Sequence, residues 1–147
     1  MTTVPLNSGI FIDMGEAPEL TRADAQFILD QYHRYGAVVL GGIVSNRADF
    51  MALTEMLTTD FMSYVGGVTV HRDQLDATDS SVMTVTAGPT TGKPIAPHSE
   101  MSYASERPKT MFFYCVRPAA FGGETTICDG VALWDALSAE TRAAFLD

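Results

Sequence analysis

The sequence predicts an α+β domain built around a mainly antiparallel sheet. Three observations support this. Two amphipathic helical stretches come early, several short runs rich in apolar and β-branched residues follow, and two helical stretches come last. No repeat or linker interrupts this order, so residues 1–147 are expected to form a single domain.

The first helix is expected to begin at Thr21. Asp24 follows at the position where a strict capping box carries Glu or Gln. Ala25, Ile28, Leu29 and Tyr32 then recur at helical spacing, and Gly36 is a natural stop. AVVL at 37–40 reads as a short buried strand closed by Gly41 and Gly42. Ser45 is positioned to cap a second helix over 46–58, with Phe50, Leu53, Met56 and Leu57 as its apolar stripe. Phe61 to Val70 contains strand material broken by Gly66 and Gly67, and HRDQLDATDSS is polar and loop-like. VMTVTA at 82–87 alternates as a strand should, and GPTTGKPIAP is a loop. TMFFYCV at 110–116 has the continuous apolar character of a strand covered on both faces. ETTIC is a further short strand, 131–137 a helix, and Ser138 caps another that carries Phe145 and Leu146.

Composition narrows the function. With 46% hydrophobic residues in 147, the chain can bury a core. No run of about 18 apolar residues is present, which argues against a membrane span. The N-terminal stretch lacks a basic segment followed by an apolar one, so a cytoplasmic protein is the default. A net charge of −9 repels phosphate backbones, which disfavours nucleic acid as a partner. Cys115 and Cys128 each sit in an apolar run and read as buried reduced thiols, not as a zinc pair.

The chemistry concentrates in APHSEMSY, Ala96 to Tyr103. In an extended strand, residues two apart face the same side, so His98 and Glu100 would project together. One imidazole and one carboxylate suit a divalent metal of intermediate softness. The 2-His-1-carboxylate triad uses that pair plus a distant histidine. A lone His-x-Glu is a weak pattern, satisfied equally by a surface histidine beside an acidic residue.

Context adds to it. PHSEMSY, then MFFYCVRPA, then GGETTICDG occur in this order, after YGAVVLGG and a helix. Together they resemble the taurine dioxygenase/TfdA family of iron(II)- and 2-oxoglutarate-dependent oxygenases, and the HSE variant resembles its clavaminate synthase and SyrP-like branch. The resemblance spans about Thr21 to Asp147. It implies a partial double-stranded β-helix, or jelly-roll, core with N-terminal helices, incomplete in this chain. It also implies His98 and Glu100 as iron ligands, Thr125 as a hydrogen-bond partner of a 2-oxoglutarate carboxylate, and O2 as co-substrate. Thr125 by itself reads as an ordinary strand threonine after Gly122 and Gly123. Related halogenases replace the acidic ligand with a small residue, so Glu100 favours hydroxylation or a related oxidation over halogenation.

That branch acts mainly on amino acids and their derivatives, often in natural-product pathways, which implies such a small-molecule substrate here. Arg72 could meet its carboxylate, and Met101 and Tyr103 could line the pocket; a solvated arginine, a core methionine and a structural tyrosine are the competing readings. The family also uses a second histidine and an arginine far downstream. The resemblance therefore implies the N-terminal half of the fold, completed by a further segment or a second chain. His71 precedes the motif and is in the wrong order for the distal ligand. Two other readings stand beside this one. In the first, the chain is a non-catalytic subunit or remnant. In the second it is a different metal-dependent barrel such as a cupin, although the usual cluster of closely spaced histidines is lacking.

Overall fold

The computed structural model describes residues 1–15, 19–63, 74–76, 79–84 and 96–146. Its best-packed part is N-terminal. Strand β1 (Thr2–Leu6) and strand β2 (Gly9–Asp13) form an antiparallel hairpin with Leu6 opposite Gly9. The two-residue connection Asn7-Ser8 is the shortest common hairpin loop. Helix α1 (Arg22–Tyr35) then carries the chain to strand β3 (Val38–Gly41), which pairs parallel with β2. A parallel pair needs a long crossover, and the 14-residue α1 supplies it. The order is β1-β2-β3, so β2 is hydrogen-bonded on both edges. The sheet is thus mixed, not mainly antiparallel, because the hairpin adds an antiparallel strand to a β2-α1-β3 crossover.

Strand β2 alternates as a half-buried strand should. Ile10 and Ile12 are buried, Phe11 is partly covered and Asp13 is exposed. With Met14 they form the core, against which Leu20, Phe27, Tyr35, Val38, Leu40 and Ile43 pack. Strand β1 is exposed along its length and carries Pro5, a residue tolerated at a sheet edge.

Both early helices are fixed by their caps. Thr21 Oγ1 accepts from the Asp24 amide at 3.2 Å, and the Asp24 carboxylate accepts from the Thr21 amide at 2.9 Å. Asp therefore closes a reciprocal capping box here, although its side chain is shorter than the usual Glu or Gln. Gly36 ends the helix with φ 75°, in the left-handed region that glycine enters most easily. Helix α2 (Arg47–Leu57) starts one residue later than the sequence suggested. Asn46, not Ser45, is its cap, accepting from the Asp49 amide at 3.0 Å, while the Ser45 amide donates to the Asp49 carboxylate. Helix α1 packs on α2 and against β2 and β3, with Ala25 and Ile28 buried on one side and Leu53 and Thr54 on the other.

A short antiparallel pair follows, β4 (Gln74–Asp76) and β5 (Asp79–Met83). Strand β5 begins before the 82–87 run, whose last three residues lie outside the described residues, as do 64–70, His71 and Arg72. Near the C-terminus, α3 (Gly130–Ala136) is capped by Asp129, whose carboxylate accepts from the Val131 and Ala132 amides. Helix α4 (Ala139–Ala144) is capped by Ser138, as expected.

The expected strands at 110–116 and ETTIC do not form; both segments lack regular structure. Met111, Phe113, Val116 and Ile127 are exposed, and so are Cys115 and Cys128 as free thiols. A strand covered on both faces needs hydrogen-bonded neighbours, and none of the described strands pairs with these runs. The complete jelly-roll is therefore not present among the described residues. No described helix is long and apolar enough to cross a membrane.

Candidate metal centre

The segment from Ala96 to Thr110 is anchored to the helical platform at its C-terminal end. The Thr110 hydroxyl donates to the Tyr32 hydroxyl at 3.1 Å, and that hydroxyl reaches the Lys109 carbonyl at 3.4 Å. Four residues later, Tyr114 stacks on Phe50 of α2, with ring centroids 5.5 Å apart and planes 19° apart. These contacts tie the site-bearing segment to α1 and α2.

Residues 98–100 are not a strand. The chain has no regular structure to Ser99 and then turns, with Ser102 N donating to Ser99 O and Ala104 N to Met101 O. Met101 adopts φ 53°, which is uncommon for a residue with a side chain, and that side chain is buried. The turn, not strand alternation, carries Glu100 toward His98.

The result still brings the two groups together. His98 Nε2 lies 3.8 Å from Glu100 Oε2, with the imidazole more than half exposed and the carboxylate mostly covered. His98 Nδ1 is 2.9 Å from the Ala96 carbonyl. A carbonyl can only accept, so Nδ1 carries the proton in that contact. In the neutral ring, Nε2 is then the free lone pair, and it is the nitrogen on the side of Glu100. This is the arrangement of a metal-binding histidine held by a backbone carbonyl.

The donor set fits a divalent metal. Two donors each about 2.1 Å from one ion, at a right angle, stand about 3 Å apart. The observed pair is wider than that by less than 1 Å. Small torsional adjustments at Glu100 would close the difference. No group of three or more His, Cys, Asp or Glu side chains positioned for a metal occurs among the described residues. Among the described residues, His98 and Glu100 thus stand as a pair and not as a set of three.

The other expected site residues separate. Glu100 and His98 line an open depression of about 490 Å³, together with Arg107, Pro108, Lys109 and Met111. Thr125 is exposed, lies in an irregular segment and does not line that depression. Met101 is buried beneath the turn and so acts as core, and Tyr103 is exposed without lining the depression. Arg72 lies outside the described residues. Arg107 and Lys109 were not singled out from sequence. Their signal, an Arg-Pro-Lys run seven to nine residues after Glu100, is indistinguishable from a polar turn until the backbone folds back.

A clavaminate synthase-like protein of Arabidopsis thaliana is 35% identical over 96 residues, covering 65% of this chain and 28% of the relative. The chain thus spans well under half the length of that protein. No solved structure matches. The family described as taurine catabolism dioxygenase TauD, TfdA matches residues 11–147. That match takes in most of the β2-α1-β3 unit, the His98-Glu100 pair and the Gly-Gly-Glu-Thr segment together, and the chain belongs to this family, in its clavaminate synthase-like branch.

Proposed function

We propose that the chain forms part of an iron(II)- and 2-oxoglutarate-dependent oxygenase site that hydroxylates an amino acid or amino-acid derivative. His98 and Glu100 are two of its protein ligands. The observation that carries this reading is the 3.8 Å pair, with His98 Nδ1 committed to the Ala96 carbonyl and Nε2 left toward the carboxylate. When bound, iron(II) would supply oxygen activation coupled to 2-oxoglutarate decarboxylation.

The chain's own residues do the positioning. The Ala96 carbonyl sets the His98 tautomer and ring orientation, so that Nε2 donates without first losing a proton. The turn at Met101 holds the Glu100 carboxylate beside it. The family resemblance makes the Thr125 hydroxyl the donor to a carboxylate of the co-substrate, although Thr125 does not line this depression. A third ligand comes from outside the described residues, from a further segment or a second chain. Two protein donors alone hold a divalent ion weakly, because affinity depends on ligand number and preorganisation.

The test is anaerobic titration with iron(II) and 2-oxoglutarate, following the weak visible charge-transfer band of the chelate. The reading expects a band in wild type, alone or with its completing segment, and none in His98→Ala. A folded, completed protein without a band would overturn it and leave His98 and Glu100 as relics in a non-catalytic member of the family.

A further inference from the structure

The wall facing the His98-Glu100 pair has the opposite charge from the chain as a whole. The protein carries a net −9, with 18 acidic residues against nine Lys and Arg. Two of those nine, Arg107 and Lys109, line the depression that also holds His98 and Glu100. Neither side chain makes an ion pair or hydrogen bond among the described residues. Their backbone is nevertheless held. Pro108 sits between them with a constrained φ, and Tyr32 bonds the Lys109 carbonyl and the Thr110 hydroxyl.

In an acidic protein, cations not used in structural pairs and gathered beside a candidate metal pair are suited to an anion. A guanidinium presents a planar fork matched to a carboxylate, and an ammonium adds a point charge beside it. The depression, about 490 Å³, has the size of a small-molecule site. We propose that Arg107 and Lys109 bind the carboxylate of a small organic acid whose other end faces His98 and Glu100. This rests on reading the depression as the ligand-binding side of the site. The carboxylate can belong to the substrate or to the co-substrate; the chemistry at the wall is the same.

The experiment uses the full chain without metal. It is titrated with succinate, glutamate and neutral succinamide, while side-chain NMR follows the Arg107 Nε–H and the His98 ring. Succinate or glutamate should shift both signals, and succinamide should shift neither. Arg107→Gln with Lys109→Gln should weaken carboxylate binding about tenfold, the scale of losing charge-assisted hydrogen bonds at an accessible site. Raising salt from about 20 to about 200 mM should weaken it in wild type and much less in the double variant. Equal shifts with succinamide, or equal affinity in the double variant, would overturn the proposal. Repeating the titration with Mn(II) and 2-oxoglutarate separates the two sources. A weakened 2-oxoglutarate affinity in the double variant assigns the wall to the co-substrate. An unchanged one, with glutamate binding lost, assigns it to the substrate. Carboxylate binding in a protein that takes up no metal would leave this proposal standing while the iron reading falls. Metal uptake without carboxylate discrimination would do the reverse.

Discussion

Ile12→Ala should remove a large share of the protein's stability. Ile12 is fully buried at the centre of β2 and lies opposite Thr3 on one side and Leu40 on the other. The substitution deletes three carbons, about 2.4 kcal/mol at about 0.8 kcal/mol per buried methylene. A cavity term adds to this, since β2 is hydrogen-bonded along both edges and cannot move inward to fill the space. The expected loss is about 3–4 kcal/mol, within the range of about 2–5 for such truncations. Small domains have only about 5–15 kcal/mol in total. At a urea slope of about 1.5 kcal/mol/M, the midpoint should fall by about 2 M. Equilibrium urea unfolding by far-ultraviolet circular dichroism measures it. Val39→Ala is the control, because Val39 lies on the neighbouring strand and is 44% exposed; it should cost less than about 0.5 kcal/mol. A loss below about 1 kcal/mol for Ile12→Ala, or one equal to that of Val39→Ala, would refute the placement of the core at β2.

Three further outcomes test the parts that hold the site. Gly36 and Gly42 both have left-handed backbones, with φ 75° and 81°, but an added Cβ meets nothing at Gly36 and lies 2.7 Å from the Gly15 carbonyl oxygen at Gly42. Gly36→Ala should cost about 1 kcal/mol, Gly42→Ala at least twice as much, and equal midpoint shifts would contradict the close approach. Tyr32→Phe combined with Thr110→Val should show a coupling of about 0.5–1 kcal/mol in a double-mutant cycle, since the two hydroxyls bond each other; strict additivity would mean that the tether contributes nothing. Asp24 is held below its ordinary value of 3.8 by the Thr21 hydroxyl and then by the Thr21 amide, both donating to its carboxylate. A folded value below the unfolded one stabilises above the unfolded value and is lost as pH falls through the folded one. Asp24→Asn should therefore melt lower than wild type at neutral pH and converge with it at the acid end, and a gap that does not change with pH would show that the carboxylate charge is not involved.

How far the fold was legible depended on how local each determinant was. Helix α1 was readable because Thr21, the Ala25-Ile28-Leu29-Tyr32 spacing and Gly36 all act within one helix length. The Ser138 cap of α4 was of the same kind. The β1-β2 hairpin was missed, although GIFID alternates and Asn-Ser-Gly precedes it. Its partner strand TTVPL is exposed throughout and carries Pro5, so it offers no alternating apolar face to read. The runs at 110–116 and ETTIC failed for the opposite reason. Their apolar and β-branched residues are strand-like, but a strand exists only where another strand accepts its hydrogen bonds. Residue character is local and pairing is not.

The same distinction governs the site. His98 and Glu100 are an imidazole and a carboxylate two residues apart in the sequence, and that separation limits how far apart they can be. The strand argument for their shared face was nonetheless wrong in its geometry. The turn from Ser99 to Ala104 brings them together, and it depends on Met101 taking a left-handed backbone. Such a conformation costs about 1–2 kcal/mol for a residue with a Cβ, so burial of the Met101 side chain has to offset it. Met101 thus bears on the site from beneath, by fixing the backbone next to Glu100, and not as a pocket wall. Arg107 and Lys109 reach the same depression by a longer route, through the Tyr32 anchor on α1 some 77 residues away in sequence. Nothing local marks them, because their position is set by a helix at the other end of the chain. A histidine and a glutamate two residues apart can be read from a motif, whereas the cations that share their depression become visible only after the segment is docked on α1.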